Sequence, residues 1–324
     1  MSRSDKQANN GLIAALLTPL LMGLAPVLGK LAIHAGFDPY TLAALRTCFA
    51  AGLLWVVYLA FFRKYIYIFP AGLLGTLVVG AVNGVGSLLY YNGLLLLDNA
   101  SMAQLLQMLY VIFALLLVRV YGQRISLTSI VRTGLALLAV YLLTAWNDTT
   151  GTVHWIGVGL MIGSAFMYAL HVVLSQRVMY EMPAPTMALY ALTWMGVVVL
   201  VARIVYGFTS PSTLGAEMPV GWLYIGALTL VTALSRVTLF SGVRNIGSLQ
   251  TILLNVAEIA VTLVAASTVL GEHMQPVQWV GVVVLLLSVV LSRWDDGIKD
   301  IGYSQISGAM QPLPPFTDPK DPNA

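Results

Sequence analysis

The sequence predicts an all-α integral membrane protein, with ten transmembrane helices arranged as two inverted five-helix repeats. Three observations support this fold class: a low content of charged residues, a series of long apolar runs, and a repeated spacing of glycine and proline. Of the 324 residues, 59% are hydrophobic and only 9% are charged, with a formal net charge of +3. Soluble domains carry about 25% charged residues, so the composition excludes a water-soluble protein.

The apolar runs are each about as long as a helix that crosses the hydrocarbon layer, which takes about 20 residues. Stretches within them, such as residues 197–201 and 282–287, are apolar at every position rather than at alternate positions, which indicates helices and not strands. The predicted spans are residues 12–35, 40–62, 70–97, 100–121, 127–146, 155–178, 185–208, 219–240, 246–270 and 276–294. The third span is long enough to tilt, or to contain a break at the cluster of Asn83, Gly84 and Gly86.

The distribution of positive charge predicts the orientation of the chain in the membrane. When the loops are assigned alternately to two sides, ten cations fall on one side and two on the other. Because cytoplasmic loops carry the excess of Lys and Arg, we expect both termini to be cytoplasmic in a multi-pass protein of the cell (inner or plasma) membrane. The first apolar run exceeds signal-peptide length and lacks a cleavage site, so we interpret it as a retained span.

Internal repetition is the most informative feature of the sequence. Glycine and proline residues recur at similar separations in the two halves: Gly93 and Gly242 (149 residues), Gly122 and Gly271 (149), Gly134 and Gly281 (147), Pro39 and Pro185 (146). A repeated unit with an odd number of spans enters the membrane from opposite sides, which predicts inverted repeats. We therefore divide the chain into a cytoplasmic N-terminus (1–10), a first repeat (11–146), a linker (147–154), a second repeat (155–294) and a disordered, proline-rich cytoplasmic tail (295–324).

Residues in both halves resemble a known family. The segments are Met22, Gly23 and Lys30; Leu45-Arg46-Thr47 with Ala50 and Ala51; Tyr91-Asn92-Gly93-Leu94 with Asn99-Ala100-Ser101; Glu258-Ile259; Val269-Leu270-Gly271-Glu272; and Gln278-Trp279-Val280-Gly281. In order and spacing they are similar to the EamA-domain family of the drug/metabolite transporter (DMT) superfamily, over residues 11–294. The chain departs from the pattern where Ile259 replaces an expected proline, Tyr110 is the first-half counterpart of Glu258, and Gln123 replaces a glutamate.

The resemblance implies a ten-helix carrier of the inner membrane, often an exporter, for metabolites that range from amino acids to nucleotide-sugars. It does not fix the substrate. A helix break that depends on the missing proline after Glu258 is not expected from the resemblance.

Glu258, at the centre of the ninth span, is the strongest candidate for a functional residue. A carboxylate at that depth costs about 2.5–3.5 kcal/mol on insertion scales, so it should face a cavity or a partner. It is a candidate for proton or substrate coupling. The alternative is a structural hydrogen bond or ion pair, for which Arg236 on the eighth span is the most available partner.

Two further cations and several polar helix faces complete the candidate site. Lys30 and Arg46 lie in the outer parts of neighbouring spans, where they can attract a carboxylate or phosphate or simply extend toward the interface. The polar residues that recur at helical spacing are Asn83, Ser87 and Tyr90; Gln104, Gln107 and Tyr110; Ser164, Tyr168, His171 and Ser175; and Asn255, Glu258 and Thr262. We expect a shared wet cavity; the alternative is ordinary hydrogen bonding between helices.

The sequence contains no pattern of an enzyme, a cofactor site or a metal site. No nucleophile and base fall together at one span end, the histidines lack ligand spacing, and no ATP-binding loop is present. The leading hypothesis is a secondary-active transporter, working by alternating access and coupled to protons or to solute exchange. Its partners would be a small-molecule substrate and membrane lipid, with no nucleic acid. The alternatives are a passive channel and a membrane scaffold without transport.

Overall fold

The computed structural model describes residues 3–97, 103, 106–120, 127–144, 155–179, 182–206, 218–269 and 276–291. Within these ranges every regular element is helical. The helices are α1 (Arg3–Met22), α2 (Ala25–His34), α3 (Pro39–Phe61), α4 (Pro70–Leu96), α5 (Tyr110–Val120), α6 (Leu127–Thr144), α7 (Trp155–Val178), α8 (Ala184–Val205), α9 (Met218–Ile246), α10 (Ser248–Asn255), α11 (Glu258–Val269) and α12 (Pro276–Val290), with a 3-10 turn at Arg63–Tyr65.

Seven segments of the described chain are long and apolar enough to cross a membrane. They are Ile13–His34, Pro39–Phe61, Pro70–Leu96, Trp155–Val178, Ala184–Val205, Pro219–Ile246 and Ser248–Val269. This confirms the prediction of an all-helical, multi-pass membrane protein. The predicted fourth, fifth and tenth spans correspond to α5, α6 and α12, which are not among the seven, so the count of ten stays a prediction.

Helix starts follow from local sequence. Proline lies in the first turn of α2, α3, α4 and α8. Backbone N–H groups in a first turn have no helical partner, so the N–H that proline lacks costs the helix no hydrogen bond. Asp38 precedes α3, and its Oδ1 accepts a hydrogen bond of 2.9 Å from the Thr41 backbone N–H. Pro26 cannot donate to the carbonyl of Met22, which explains why the first span is divided into α1 and α2 around Gly23.

Pairs of helices from the two halves of the chain pack together. Helix α1 lies antiparallel to α9, with the Thr18 hydroxyl donating to Thr238 Oγ1 at 3.0 Å. Helix α4 lies antiparallel to α7, where the Ser164 hydroxyl donates to the Gly86 carbonyl at 2.9 Å. Helix α3 packs on α8, and α6 packs on α12. The contacts that build the bundle therefore join one half to the other.

The third span contains no break. Helix α4 runs without interruption from Pro70 to Leu96, through Asn83 and its neighbouring glycines. The glycines serve close packing instead: a Cβ at Gly80 would lie 2.5 Å from the Ala191 carbonyl oxygen, and a Cβ at Gly84 would lie 2.8 Å from Val198 Cβ. Of the two sequence-based alternatives for this span, the break is wrong.

A helix is instead interrupted immediately before Glu258, although no proline follows that residue. The Ala257 N–H bonds the Leu254 carbonyl and the Ile259 N–H bonds the Val256 carbonyl, both with the tighter i to i−3 pattern. The same two bonds recur before Tyr110, from Leu109 to Leu106 and from Val111 to Met108. Glu258 and Tyr110 thus begin α11 and α5 at equivalent positions.

One end of the bundle gathers several cations. The Tyr65 carbonyl accepts a hydrogen bond from the Thr186 hydroxyl at 2.8 Å, and Arg244 Nη1 donates to the Met182 carbonyl at 2.8 Å. These contacts bring the 3-10 turn with Arg63 and Lys64, the end of α7 and the end of α9 to the same face.

Candidate functional site

A cavity of about 90 Å³ lies among the helices where the interrupted segments meet. Its walls come from both halves of the chain. The lining residues are Met22, Ala25, Pro26, Arg46, Asn83, Gly86, Ser87, Tyr90, Tyr91, Gln107, Tyr110, Ser164, Tyr168, Arg236 and Glu258. The charged members are two arginines and one glutamate, and four tyrosines supply most of the ring surface.

Arg46 is only 8% exposed and is held by α4. Its Nη2 donates to Ser87 Oγ at 2.8 Å, and its guanidinium carbon lies 4.7 Å from the centre of the Tyr91 ring. The Nε of Arg46 is buried and has no hydrogen-bond partner among the described residues. The side chain is thus anchored on one edge and leaves a donor unmatched.

Arg236 is 7% exposed and is anchored from the opposite wall. Its Nη1 lies 3.4 Å from Nε2 of His171, a fully buried residue of α7. Like Arg46, Arg236 has a buried Nε without a hydrogen-bond partner in the part of the chain that is described. Buried polar atoms are normally paired, so the two unmatched guanidinium donors require an explanation.

Glu258 is 9% exposed and begins α11, where the partial positive charge of a helix N-terminus favours a carboxylate. Its charge interacts with that of Arg236 across the cavity. The junction of α1 and α2 packs directly beside it: a Cβ on Gly23 would lie 2.7 Å from the Glu258 carbonyl oxygen. Thr262 donates its hydroxyl to the Gly23 carbonyl at 2.9 Å, which fixes this contact.

The tyrosines form two edge-to-face pairs beside the charged groups. Tyr110 and Tyr168 have ring centres 4.9 Å apart, and Tyr90 and Tyr91 have ring centres 5.2 Å apart. The Tyr168 hydroxyl accepts a hydrogen bond of 3.0 Å from Asn255 Nδ2, so α10 positions it although Asn255 itself is fully buried behind the wall. The Tyr110 hydroxyl is another buried group without a hydrogen-bond partner among the described residues.

Most of the residues selected from the sequence come together here. Those that line the cavity are Arg46, Asn83, Tyr90, Gln107, Tyr110, Tyr168, Arg236 and Glu258. Asn255 and His171 lie one layer behind, in contact with Tyr168 and Arg236. Lys30 is not part of the lining, so the cation that accompanies Arg46 is Arg236. Gln104 lies outside the described residues.

Sequence reasoning left several lining residues out of the candidate site. These are Met22, Ala25, Pro26, Gly86 and Tyr91, whereas Ser87 and Ser164 lay on the predicted polar faces. The helix division at Pro26 was the available signal for the first three, because an interrupted membrane helix exposes backbone that needs a polar surrounding. Tyr91 had no such signal, because it follows Tyr90 on a different helix face.

The helices that enclose this charged cavity include segments long and apolar enough to cross a membrane. The EamA-like transporter family matches residues 9–145 and again residues 155–294. The chain belongs to this family, and hence to the drug/metabolite transporter superfamily.

The fold has a counterpart among solved structures. One of them, titled only "Crystal structure of protein", superposes with a TM-score of 0.71 at 15% sequence identity, over 87% of this chain and 98% of that one. At this identity the likeness establishes the fold alone. No curated protein matches the sequence.

Proposed function

We propose that the protein is a secondary-active exporter that moves a small metabolite or drug-like solute across the cell membrane by alternating access. It has ten spans in two inverted repeats, residues 11–146 and 155–294, joined by a linker. Both termini are proposed to be cytoplasmic, as the excess of positive charge on one side of the membrane predicts. The observation that carries the proposal is the charged cavity whose walls come from both halves of the chain.

Helix pairing supports the inverted repeat. If the first five spans correspond to the last five, the first maps onto the sixth and the third onto the eighth. The contact of α1 with α9 then maps onto the contact of α7 with α4, and both are extensive antiparallel contacts. Such a pairing lets the two halves exchange conformations about a fixed central site, which is the basis of alternating access.

Glu258 is proposed as the coupling group. It shares the cavity with Arg46, Arg236 and four tyrosines, and Arg236 in turn contacts His171. A carboxylate in this position can hold a proton in one state and face the arginines in another. Energy from a proton gradient or from solute exchange would drive the cycle.

Counterflow in proteoliposomes tests the carrier directly. A thermal-shift screen of amino acids, nucleosides, sugars and cationic drugs on the purified protein would first supply a ligand, because a bound ligand raises the melting temperature. Vesicles preloaded with unlabelled ligand should then transiently accumulate the labelled form. Flux that shows neither saturation nor counterflow would indicate a channel, and the absence of flux would indicate a scaffold.

The Glu258→Gln variant tests the coupling. Glutamine keeps the shape and loses the ionisable group, so we expect pH-driven uptake to be abolished while counterflow persists. Thermal unfolding in detergent serves as the control for folding. Unchanged pH-driven uptake by this variant would remove Glu258 from the coupling mechanism.

A further inference from the structure

The charges that line the cavity do not balance. Arg46 and Arg236 contribute two positive charges and Glu258 contributes one negative charge, and no other described lining residue carries a formal charge. Both arginines are more than nine-tenths buried, and the charge of each acts on the other. Because a buried charge needs a compensating partner, the cavity favours a solute with one negative charge.

The unmatched donors indicate the shape of the charged group. Each arginine is anchored through one terminal nitrogen, Arg46 to Ser87 and Arg236 to His171, which leaves a buried Nε unmatched on each side. Guanidinium groups bind planar carboxylates through two parallel N–H donors, of which Nε is commonly one. A carboxylate between the two arginines would accept hydrogen bonds from the terminal N–H groups that Ser87 and His171 leave available.

The tyrosines indicate the rest of the solute. The two edge-to-face ring pairs line the cavity beside the charged groups, and Tyr110 adds an unmatched hydroxyl. Aromatic faces stack favourably on planar apolar groups. The cavity volume of about 90 Å³ limits that group to a small size.

We infer that this transporter binds a small monocarboxylate with a planar, largely apolar body. Its carboxylate lies between Arg46 and Arg236, and its body lies against the tyrosine rings. This inference rests on the proposed function, because it names the substrate class of the same cavity.

Benzoate and benzamide provide a matched pair of probes, because they share the ring and nearly the same size and differ in charge. We expect benzoate to bind the purified full-length protein at least about tenfold more tightly, as judged by titration calorimetry, because charge-assisted hydrogen bonds are the stronger class. Equal binding of the two, or no binding of benzoate, would overturn the inference. Tighter binding of phenyl phosphate or of benzylamine would also overturn it, in favour of a phosphate or a cation.

Variants assign the effect to the arginine pair. Arg46→Gln and Arg236→Gln should each abolish the preference for benzoate over benzamide. Arg203→Gln is the control, since Arg203 donates to Thr41 at a bundle end away from the cavity; it should keep the preference. If a glutamine variant does not fold, the corresponding lysine variant keeps the charge and should lose most of the preference. A lysine variant that retains the full preference would contradict binding by paired N–H donors.

The outcomes separate this inference from the proposed function. A neutral or cationic ligand from the thermal-shift screen that shows counterflow would overturn the inferred carboxylate substrate and would support the proposed carrier function. Tight benzoate binding without counterflow of labelled benzoate would support the anion site and contradict alternating access.

Discussion

The His171 ring has one arrangement of its proton that satisfies both of its neighbours. Its Nδ1 lies 2.8 Å from the Tyr168 carbonyl oxygen, which can only accept, so Nδ1 carries the proton. Nε2 is then the acceptor that faces Arg236 Nη1 at 3.4 Å. We therefore expect His171 to act as a positioning residue, because it contacts an arginine of the cavity without lining the cavity itself.

Replacement of His171 tests this role. His171→Leu removes the acceptor from a buried guanidinium, and a hydrogen bond to a charged group contributes about 1.5–3 kcal/mol, so we expect KM for the transported ligand to rise about tenfold or more. The maximal rate should change less. His171→Gln retains an acceptor and should recover part of the affinity. If both variants shift KM equally, the position matters only for packing.

The residues of the site illustrate how far sequence reasoning reaches at this scale. Glu258, Arg46 and Arg236 could be selected because a charge at membrane depth is costly and seldom kept without a role. The pairing of Arg46 with Arg236 could not be selected, because it depends on how α3 and α9 lie around one cavity. Lys30, like Arg46, is a cation within a predicted apolar span, but it does not line the cavity.

At the scale of elements, the close approach of the α1–α2 junction to α11 determines the position of Glu258. Gly23 is required there, since a Cβ would lie 2.6 Å from Val261 Cβ and 2.7 Å from the Glu258 carbonyl oxygen. We expect Gly23→Ala to lower the free energy of unfolding by about 1–3 kcal/mol, the typical effect of overpacking.

Thermal unfolding in detergent measures this effect. The matched control is Gly52→Ala in α3, where a Cβ would meet nothing within 4 Å. The control should leave the melting temperature unchanged or raise it, because alanine favours helix over glycine. Equal melting temperatures for the two variants would show that the junction does not pack as closely as described.

The positions of the helix interruptions differ from those that the sequence pattern suggested. The glycine cluster of the third span suggested a break in that helix, but the glycines instead allow α4 to approach α8 and α7. The interruption before Glu258 occurs without a proline, where α10 ends and a tight turn leads into α11. Glycine in a membrane helix therefore predicted close packing better than it predicted a break.

For the whole molecule, the structure groups residues at two ends that should lie on opposite sides of the membrane. Lys64 follows α3 and Arg177 ends α7, at the same cation-rich end, whereas Tyr206 follows α8 at the other end, stacked on Tyr40 with ring centres 4.8 Å apart. All three side chains are exposed. The rule that cytoplasmic loops carry the positive charge predicts that Lys64 and Arg177 face the cytoplasm.

Single-cysteine labelling with an impermeant maleimide tests this orientation. In a Cys48→Ala background, which removes the single native cysteine, we expect Tyr206→Cys to be labelled in intact cells. Lys64→Cys and Arg177→Cys should be labelled only after permeabilisation. Labelling of Lys64→Cys and Arg177→Cys from opposite sides would contradict the topology of the two halves.

The sequence by itself determined the class of molecule and its repetition, because a membrane admits few backbone structures and makes each buried charge conspicuous. It also determined most of the polar residues of the cavity. Only the tertiary structure decided which cations share that cavity, where the helices are interrupted, and which glycines permit close contact. Those features depend on distances between segments far apart in the chain, and local hydropathy carries no information about them.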